Sequence, residues 1–197
     1  MAATGTLDAS NASVGKPLAS GGAYIAFADT FDTTKLPTDA TTALDASFQN
    51  AGYISEDGLT NSTDISSDSI TAWGGTVVIQ TDGTKTETFQ LSFIESNLTT
   101  LQAIYGKGNV TQSASGEIIV RKNNTSQPNL VLVFEIGLTG NKVKRIVVPN
   151  AKLSSLDDVT YTDSDAIAYS GTYTALASSL IDGDTSREYI AEIVSGV

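Results

Sequence analysis

Apolar and polar residues alternate most cleanly between Lys85 and Glu95. Phe89, Leu91 and Phe93 fall on one side of an extended chain, and Thr86, Thr88, Gln90 and Ser92 on the other. A strand's side chains alternate with period two, so this segment presents one core face and one wet, uncharged, hydroxyl-rich face. Asp165 to Ala177 alternates in the same way, with Ile167, Tyr169, Tyr173 and Ala175 on one side. Ala23 to Ala28, Gly116 to Lys122, Lys142 to Val148 and Ser186 to Val194 are further predicted strands, and Asn129 to Leu138 is apolar on both faces. Ser69 to Trp73 and Thr76 to Gln80 read as strands separated by Gly74-Gly75, which predicts a bulge or tight bend. Asp82-Gly83 predicts a two-residue hairpin turn, and Ser55-Glu56-Asp57-Gly58 a second turn. One segment carries helical spacing: Asn97 as N-cap, a Leu98, Leu101, Ile104, Tyr105 stripe, and Gly106 to end it.

Eight or nine strands with one helix predict a mainly β fold, a β-sandwich or barrel-like domain with one flanking α-helix. Residues 1–20 are small and polar and read as an N-terminal arm, 21–180 as the β domain, and 181–197 as a final strand and C-terminal tail. Within the domain, 29–47 is a long polar stretch with Pro37 and six Thr. Loops of that length are usually functional, so it is a candidate contact loop.

Composition narrows the chemistry. The 197 residues fit one domain, 40% are hydrophobic and only 17% charged, and 26 Thr with 22 Ser fill the difference. The chain has no His and no Cys. That excludes Ser-His-Asp and Cys-His catalysis, and with them zinc-finger, haem, iron–sulfur and blue-copper sites. No disulfide holds the fold. A net charge of −11 opposes general affinity for nucleic acid or an anionic membrane surface. The N-terminus lacks a basic then apolar leader and no run of about 18 apolar residues occurs, so the expectation is a chain kept in solution without membrane binding. Charge is uneven: residues 1–100 carry net −9, 101–155 net +5 and 156–197 net −7. Such a distribution suits association of the chain with itself, basic surface against acidic surface.

The remaining candidates are modest. Carboxylates (Glu56, Asp57, Glu95, Glu117, Glu135) are the catalytic groups this composition permits, and a glycosidase would need two of them across a cleft. Solvated or turn-capping roles fit them better. Asp163-Ser164-Asp165 and Asp182-Gly183-Asp184 fall short of a calcium loop and read as turns. Trp73 reads as a core or interface anchor. Arg121, Lys122, Lys142, Lys144 and Arg145 form a basic cluster without interleaved aromatics, which favours an inter-subunit contact over nucleic acid. Leu36 and Pro37 in the long loop are further inter-subunit candidates.

Several stretches in order resemble the major tail tube proteins of long-tailed, non-contractile (siphovirus-type) bacteriophages, especially those of Gram-positive hosts. They are Leu36-Pro-Thr-Asp-Ala-Thr-Thr-Ala-Leu44, Gly52-Tyr-Ile-Ser-Glu-Asp-Gly-Leu-Thr60, Ile70-Thr-Ala-Trp-Gly-Gly75 and Thr86-Glu-Thr-Phe-Gln-Leu-Ser-Phe-Ile-Glu-Ser96. Ala103-Ile-Tyr-Gly106 with Asn109-Val110, and Val143-Lys-Arg-Ile-Val-Val-Pro-Asn-Ala151, complete the set, which runs from about Gly15 to Ala177. The resemblance implies a structural virion protein, made in the host bacterial cytoplasm, whose hexameric rings stack into a hollow tail tube that conducts DNA. It implies no catalytic residue and no cofactor. Its partners would be other copies of itself, a tape-measure protein in the lumen, tail terminator and distal tail proteins, and double-stranded DNA in transient, non-specific passage. The hydroxyl face of Thr86, Thr88, Gln90 and Ser92 is then the candidate lumen wall, and the 29–47 loop and 1–20 arm candidates for contact with the next ring. A monomeric carbohydrate-binding or adhesin-like β-sandwich is the alternative.

Overall fold

Long-range antiparallel pairing organises the chain. The computed structural model describes residues 9–193, in which eleven strands and one helix follow one another. They are β1 (Gly15–Pro17), β2 (Ala23–Phe27), β3 (Gln49–Asn50), β4 (Ile54–Thr71), β5 (Val77–Phe93), α1 (Leu98–Tyr105), β6 (Val110–Gln112), β7 (Ile118–Val120), β8 (Leu130–Leu138), β9 (Lys142–Leu156), β10 (Tyr169–Ala175) and β11 (Arg187–Glu192). Nine of them form one sheet, ordered β3-β2-β8-β9-β10-β5-β4, with β1 also on β8 and β11 also on β9; β6 and β7 pair separately. The fold is mainly β with one helix, as the alternation predicts.

β9 is the joint of the architecture. Its first half pairs with β8 on one edge and β11 on the other, and its last residues pair with β10. Leu130 faces Ala151 but Leu132 faces Val148, so one extra β9 residue is taken up at Val148–Ala151. Pro149 sits in that irregularity, where a missing N–H is tolerated, and Asn129 Nδ2 donates to Asn150 Oδ1 at 2.6 Å beside it. The sheet turns here and packs on itself, bringing the Phe89 ring of β5 to 5.5 Å from Phe134 of β8. Ile25, Leu132, Ile146, Val148, Phe93 and Tyr173 complete the middle of this core.

The double-sided apolar pattern of 129–138 has a direct structural cause. Leu130, Leu132 and Phe134 enter the main core, whereas Val131 and Val133 face a second cluster with Ala26, Phe48 and Val147. The 29–47 segment covers that second cluster with Phe31, Leu36 and Leu44. Helix α1 closes the main core with Leu101, Ala103 and Ile104; the Asn97 carboxamide accepts from the Thr100 N–H at 2.9 Å, and Gly106 ends it at φ 92°.

Three local expectations are corrected. The hairpin turn lies at Ala72–Thr76, closed by Ala72 N–H to Thr76 O at 2.8 Å with Gly74 and Gly75 at positive φ, not at Asp82-Gly83. β5 runs through Asp82-Gly83 with a one-residue slip against β4, between Ile65–Lys85 and Ser67–Asp82. Glycine serves there because a Cβ at Gly83 would stand 2.6 Å from the Ser66 carbonyl oxygen. Ser55–Gly58 is likewise an outward bulge inside β4, since Ile54 pairs with Phe93 and Leu59 with Leu91. Part of the predicted arm, Gly15–Pro17, is a strand on β8; residues 1–8 of that arm and 194–197 of the predicted tail lie outside the described residues.

Candidate functional site

The hydroxyl face read from β5 extends across its neighbours. Thr88 stands between Ser62 of β4 and Thr174 of β10, and Gln90 between Thr60 and Thr172. Ser92 lies beside Ser170, their Oγ atoms 2.6 Å apart, and Thr86 is opposite Asp64. Beyond β10 the partner of Thr174 is Lys152 of β9. Thr86 and Gln90 are exposed and Thr88 and Ser92 half-buried, while Phe89, Leu91 and Phe93 are buried on the other side. The result is a four-stranded face of alcohols and amides. Asp64 and Lys152 are the charges in these registered pairs.

β4 and β5 continue well past the body of the domain. Every residue from Thr60 to Thr86 is exposed. At about 3.3 Å per residue, the stretch from Glu87 to the turn projects about 36 Å. Its root is clamped: Glu87 accepts from Asn61 Nδ2 at 3.0 Å and from the Thr185 and Ser186 hydroxyls. Burial pushes the Glu87 carboxyl upward, but those hydrogen bonds outweigh it and hold it below the usual value. Near the tip, Ser69–Thr81 contains no charged residue, and Ile70, Val77, Val78 and Ile79 are each more than half exposed. Trp73 at the turn is fully exposed, so it is not part of this chain's own core.

The basic residues do not gather as one patch. Arg145 is buried, with Nε 2.9 Å from Glu135 Oε1, Nη2 on the same oxygen, and Nη1 donating to the Asp39 carbonyl at 2.8 Å. It is thereby the strap that holds the 29–47 loop on the β8–β9 surface. The Asp39 carboxylate accepts from the Thr42 and Thr41 amides at 2.6 and 2.7 Å, which holds its pKa down at about 2. Lys144 pairs with Glu188 of β11 at 2.7 Å, and Lys142 stands opposite Glu192. Arg121 donates to the Gly108 carbonyl at 2.8 Å, and the Lys122 ammonium sits 5.1 Å from the Tyr105 ring centroid. Leu36 is packed into the second cluster and Pro37 beside it is half-buried.

The carboxylates also have local tasks. Glu95 accepts from the Tyr53 N–H at 2.7 Å and from Asn97 Nδ2 at 3.0 Å. Asp182 and Asp184 grip the Arg187 guanidinium at 2.6 and 3.0 Å, pushing its pKa further up, so this D-x-D fragment is an ion-paired turn. Asp165 accepts from the Thr162 and Ser164 hydroxyls in the other fragment. Glu135, expected to be solvated or capping, is instead the buried partner of Arg145. Sequence reasoning missed the Glu87 clamp and the length of the hairpin. The signal for the latter was present, an uncharged stretch from Ser69 to Thr81 flanked by Asp68 and Asp82.

Comparison with protein families matches residues 10–192 to a family described as phage tail tube protein. Comparison with curated proteins finds no match. The family match runs from before β1 to the end of β11 and takes in the hydroxyl face, the hairpin and the strapped loop alike. The chain belongs to the phage tail tube protein family and is a structural component of the virion tail.

Proposed function

We propose that six copies close into a ring through the edges of the β9-β10-β5-β4 sheet, that rings stack into a hollow tube, and that DNA passes through its bore. The observation that carries this reading is the four-stranded face around Thr86, Thr88, Gln90 and Ser92, proposed as the lumen wall. DNA presents one negative charge per about 1.7 Å of axis, so a basic wall would hold it and a nearly uncharged wall lets it slide. The sheet also has two open edges: the outer edge of β4, and β9 beyond Ala151, which has no further partner strand on that side among the described residues. Open edges invite pairing, and pairing β4 of one copy to β9 of the next removes both. Four strands from each of six copies, at about 4.8 Å per strand and inclined at about 35–45°, give a circumference of about 140–163 Å and a clear bore of about 35–42 Å once side chains are allowed for. That admits a DNA duplex.

In this arrangement the hairpin and Trp73 contact a neighbouring copy, and exposed residues of the 29–47 loop, among them Asp32–Lys35 and Thr41–Ala43, are left for a further contact. A tape-measure protein in the lumen and tail terminator and distal proteins at the tube ends are the partners this reading requires. Lys142, Lys144, Arg121 and Lys122 are proposed to face neighbouring copies at the rim of their local pairs. Negative-stain electron microscopy of the purified protein, with light scattering alongside, tests the proposal. Rings of six or hollow tubes are expected; a strictly monomeric particle that binds glycans would overturn it.

A further inference from the structure

A groove of about 730 Å³ lies between the Gly15–Gly22 segment and the Gly52–Leu59 segment. Leu18, Ile54, Leu59 and Ile136 give it apolar walls, and the exposed Tyr53 stands at its rim. The walls are held in place. A Cβ on Gly52 would stand 2.3 Å from the Glu95 carboxyl carbon, one on Gly21 2.3 Å from the Asn50 amide nitrogen, and one on Gly22 2.9 Å from Pro17. Four charged residues line the groove: Glu135 pairs with Arg145, Glu95 accepts from the Tyr53 N–H and Asn97, and the exposed Lys16 and Glu56 are of opposite sign. The lining therefore leaves no net unpaired charge for an occupant to neutralise.

The groove and the hairpin tip stand at opposite ends of the same pair of strands. β5 leaves the tip at Val77, enters the body at Glu87 and ends at Phe93, opposite Ile54 in the groove wall. A projection at one pole and a socket at the other make a head-to-tail contact that does not close on itself, which is the geometry of a filament. The tip is complementary in chemistry: it carries no charge from Ser69 to Thr81 and presents Trp73, Val77 and Val78 to solvent.

Resting on the tube reading above, we propose that the hairpin tip of each copy seats in this groove of a copy in the adjacent ring, with Trp73 as the inserted side chain. The apolar side chains the tip exposes, Ile70, Trp73, Val77, Val78 and Ile79, make a small patch beside the roughly 800 Å² and 20–30 residues per partner of a standard interface. One contact alone is therefore weak, and six acting together around a ring hold the stack. The spacing follows from the strands. The 17 residues of β5 at about 3.3 Å each span about 56 Å, and strands inclined at about 35–45° in a closed barrel give an axial rise of about 40–46 Å per ring.

The chain contains no cysteine, which makes cross-linking clean. Thr76→Cys at the tip and Ala19→Cys in the groove are both at exposed positions. The two single variants, mixed, assembled and treated with a short thiol–thiol linker, are expected to give a covalent dimer that neither variant gives alone. The tubes should show the stated rise. Separately, Trp73→Asp and Ala19→Arg should each abolish stacking while leaving the melting temperature of the monomer unchanged. Tubes that form without the mixed cross-link, or that survive both charge substitutions, would overturn the groove assignment and leave the tube reading standing. A wild-type protein that forms neither rings nor tubes counts against both.

Discussion

Placing lysine at Thr88 and Gln90 together tests the lumen assignment most directly. Both side chains point away from Phe89 and Leu91, and Gln90 is exposed, so the longer side chains reach solvent without entering the core. The expected change in folding free energy is within about 0.5 kcal/mol, a shift of about 1–2 °C in Tm for a chain of this size. The effect on DNA is much larger. Two lysines in each of six copies add about a dozen positive charges per ring, against about 25 DNA charges in an axial rise of 40–46 Å. At about 10 Å in water one such pair is worth about 0.4 kcal/mol, which screening at a Debye length near 10 Å reduces to about 0.15 kcal/mol. A dozen pairs give about 2 kcal/mol per ring, and the sum grows with every ring the DNA spans. Virions built with the variant should assemble tails of normal form yet retain DNA, read by dye fluorescence after triggered release. Raising salt from about 0.1 M to about 1 M shortens the Debye length from about 10 to about 3 Å and should restore release. The neutral pair Thr88→Asn and Gln90→Asn should release like the wild type. Normal release by the lysine variant at low salt would refute the assignment of this face to the bore.

Arg145→Met leaves the Glu135 charge buried without its partner, so a loss of about 3–5 kcal/mol in urea denaturation is expected, with faster proteolysis of the 29–47 loop. Adding Glu135→Leu should recover most of that loss; a single substitution costing less than about 1 kcal/mol would show that the strap does not anchor the loop. The buried Tyr173 hydroxyl has no hydrogen-bond partner among the described residues, and burial pushes its pKa up. Tyr173→Phe should therefore stabilise the protein by about 1 kcal/mol, about 2–4 °C in Tm, and a fall in Tm would mean that the hydroxyl is satisfied. Asp39 is held from 3.8 down to about 2, and Asp32, Asp45 and Glu87 are also held below their ordinary values. Groups with depressed pKa stabilise the fold above their unfolded values and lose that contribution on protonation, so Tm should fall as pH drops from about 4 to about 2. Asp39→Asn should flatten part of that fall, and a Tm independent of pH in that window would contradict the hydrogen-bonded carboxylates.

Features with a local cause were legible in the sequence. The alternation from Thr86 to Phe93 specified a two-faced strand because side-chain direction has period two whatever the partner strand. Asn97 and Gly106 marked both ends of the helix because capping involves groups within a turn of each other. The absence of His and Cys excluded whole classes of chemistry before any coordinates were considered.

What depended on distant partners was not legible. Asp82-Gly83 has the composition of a tight turn, and it became a bulge because β4 brings Ser66 against it, sixteen residues away. Arg145 read as part of a basic inter-subunit cluster; Glu135 across the β8–β9 ladder and Asp39 in the covering loop turned it into a buried strap. Trp73 read equally as core or interface until the hairpin carried it out of the body. The sequence by itself determined which face of each strand is apolar, where the helix begins and ends, and that the chain is acidic and rich in hydroxyls. Only the tertiary structure decided that four such strands lie side by side as one face of alcohols and amides with few charges, and that a groove stands at the pole opposite the hairpin tip. Both depend on strand order and on the turn at Pro149, which are set by contacts between residues far apart in the chain rather than by local preference.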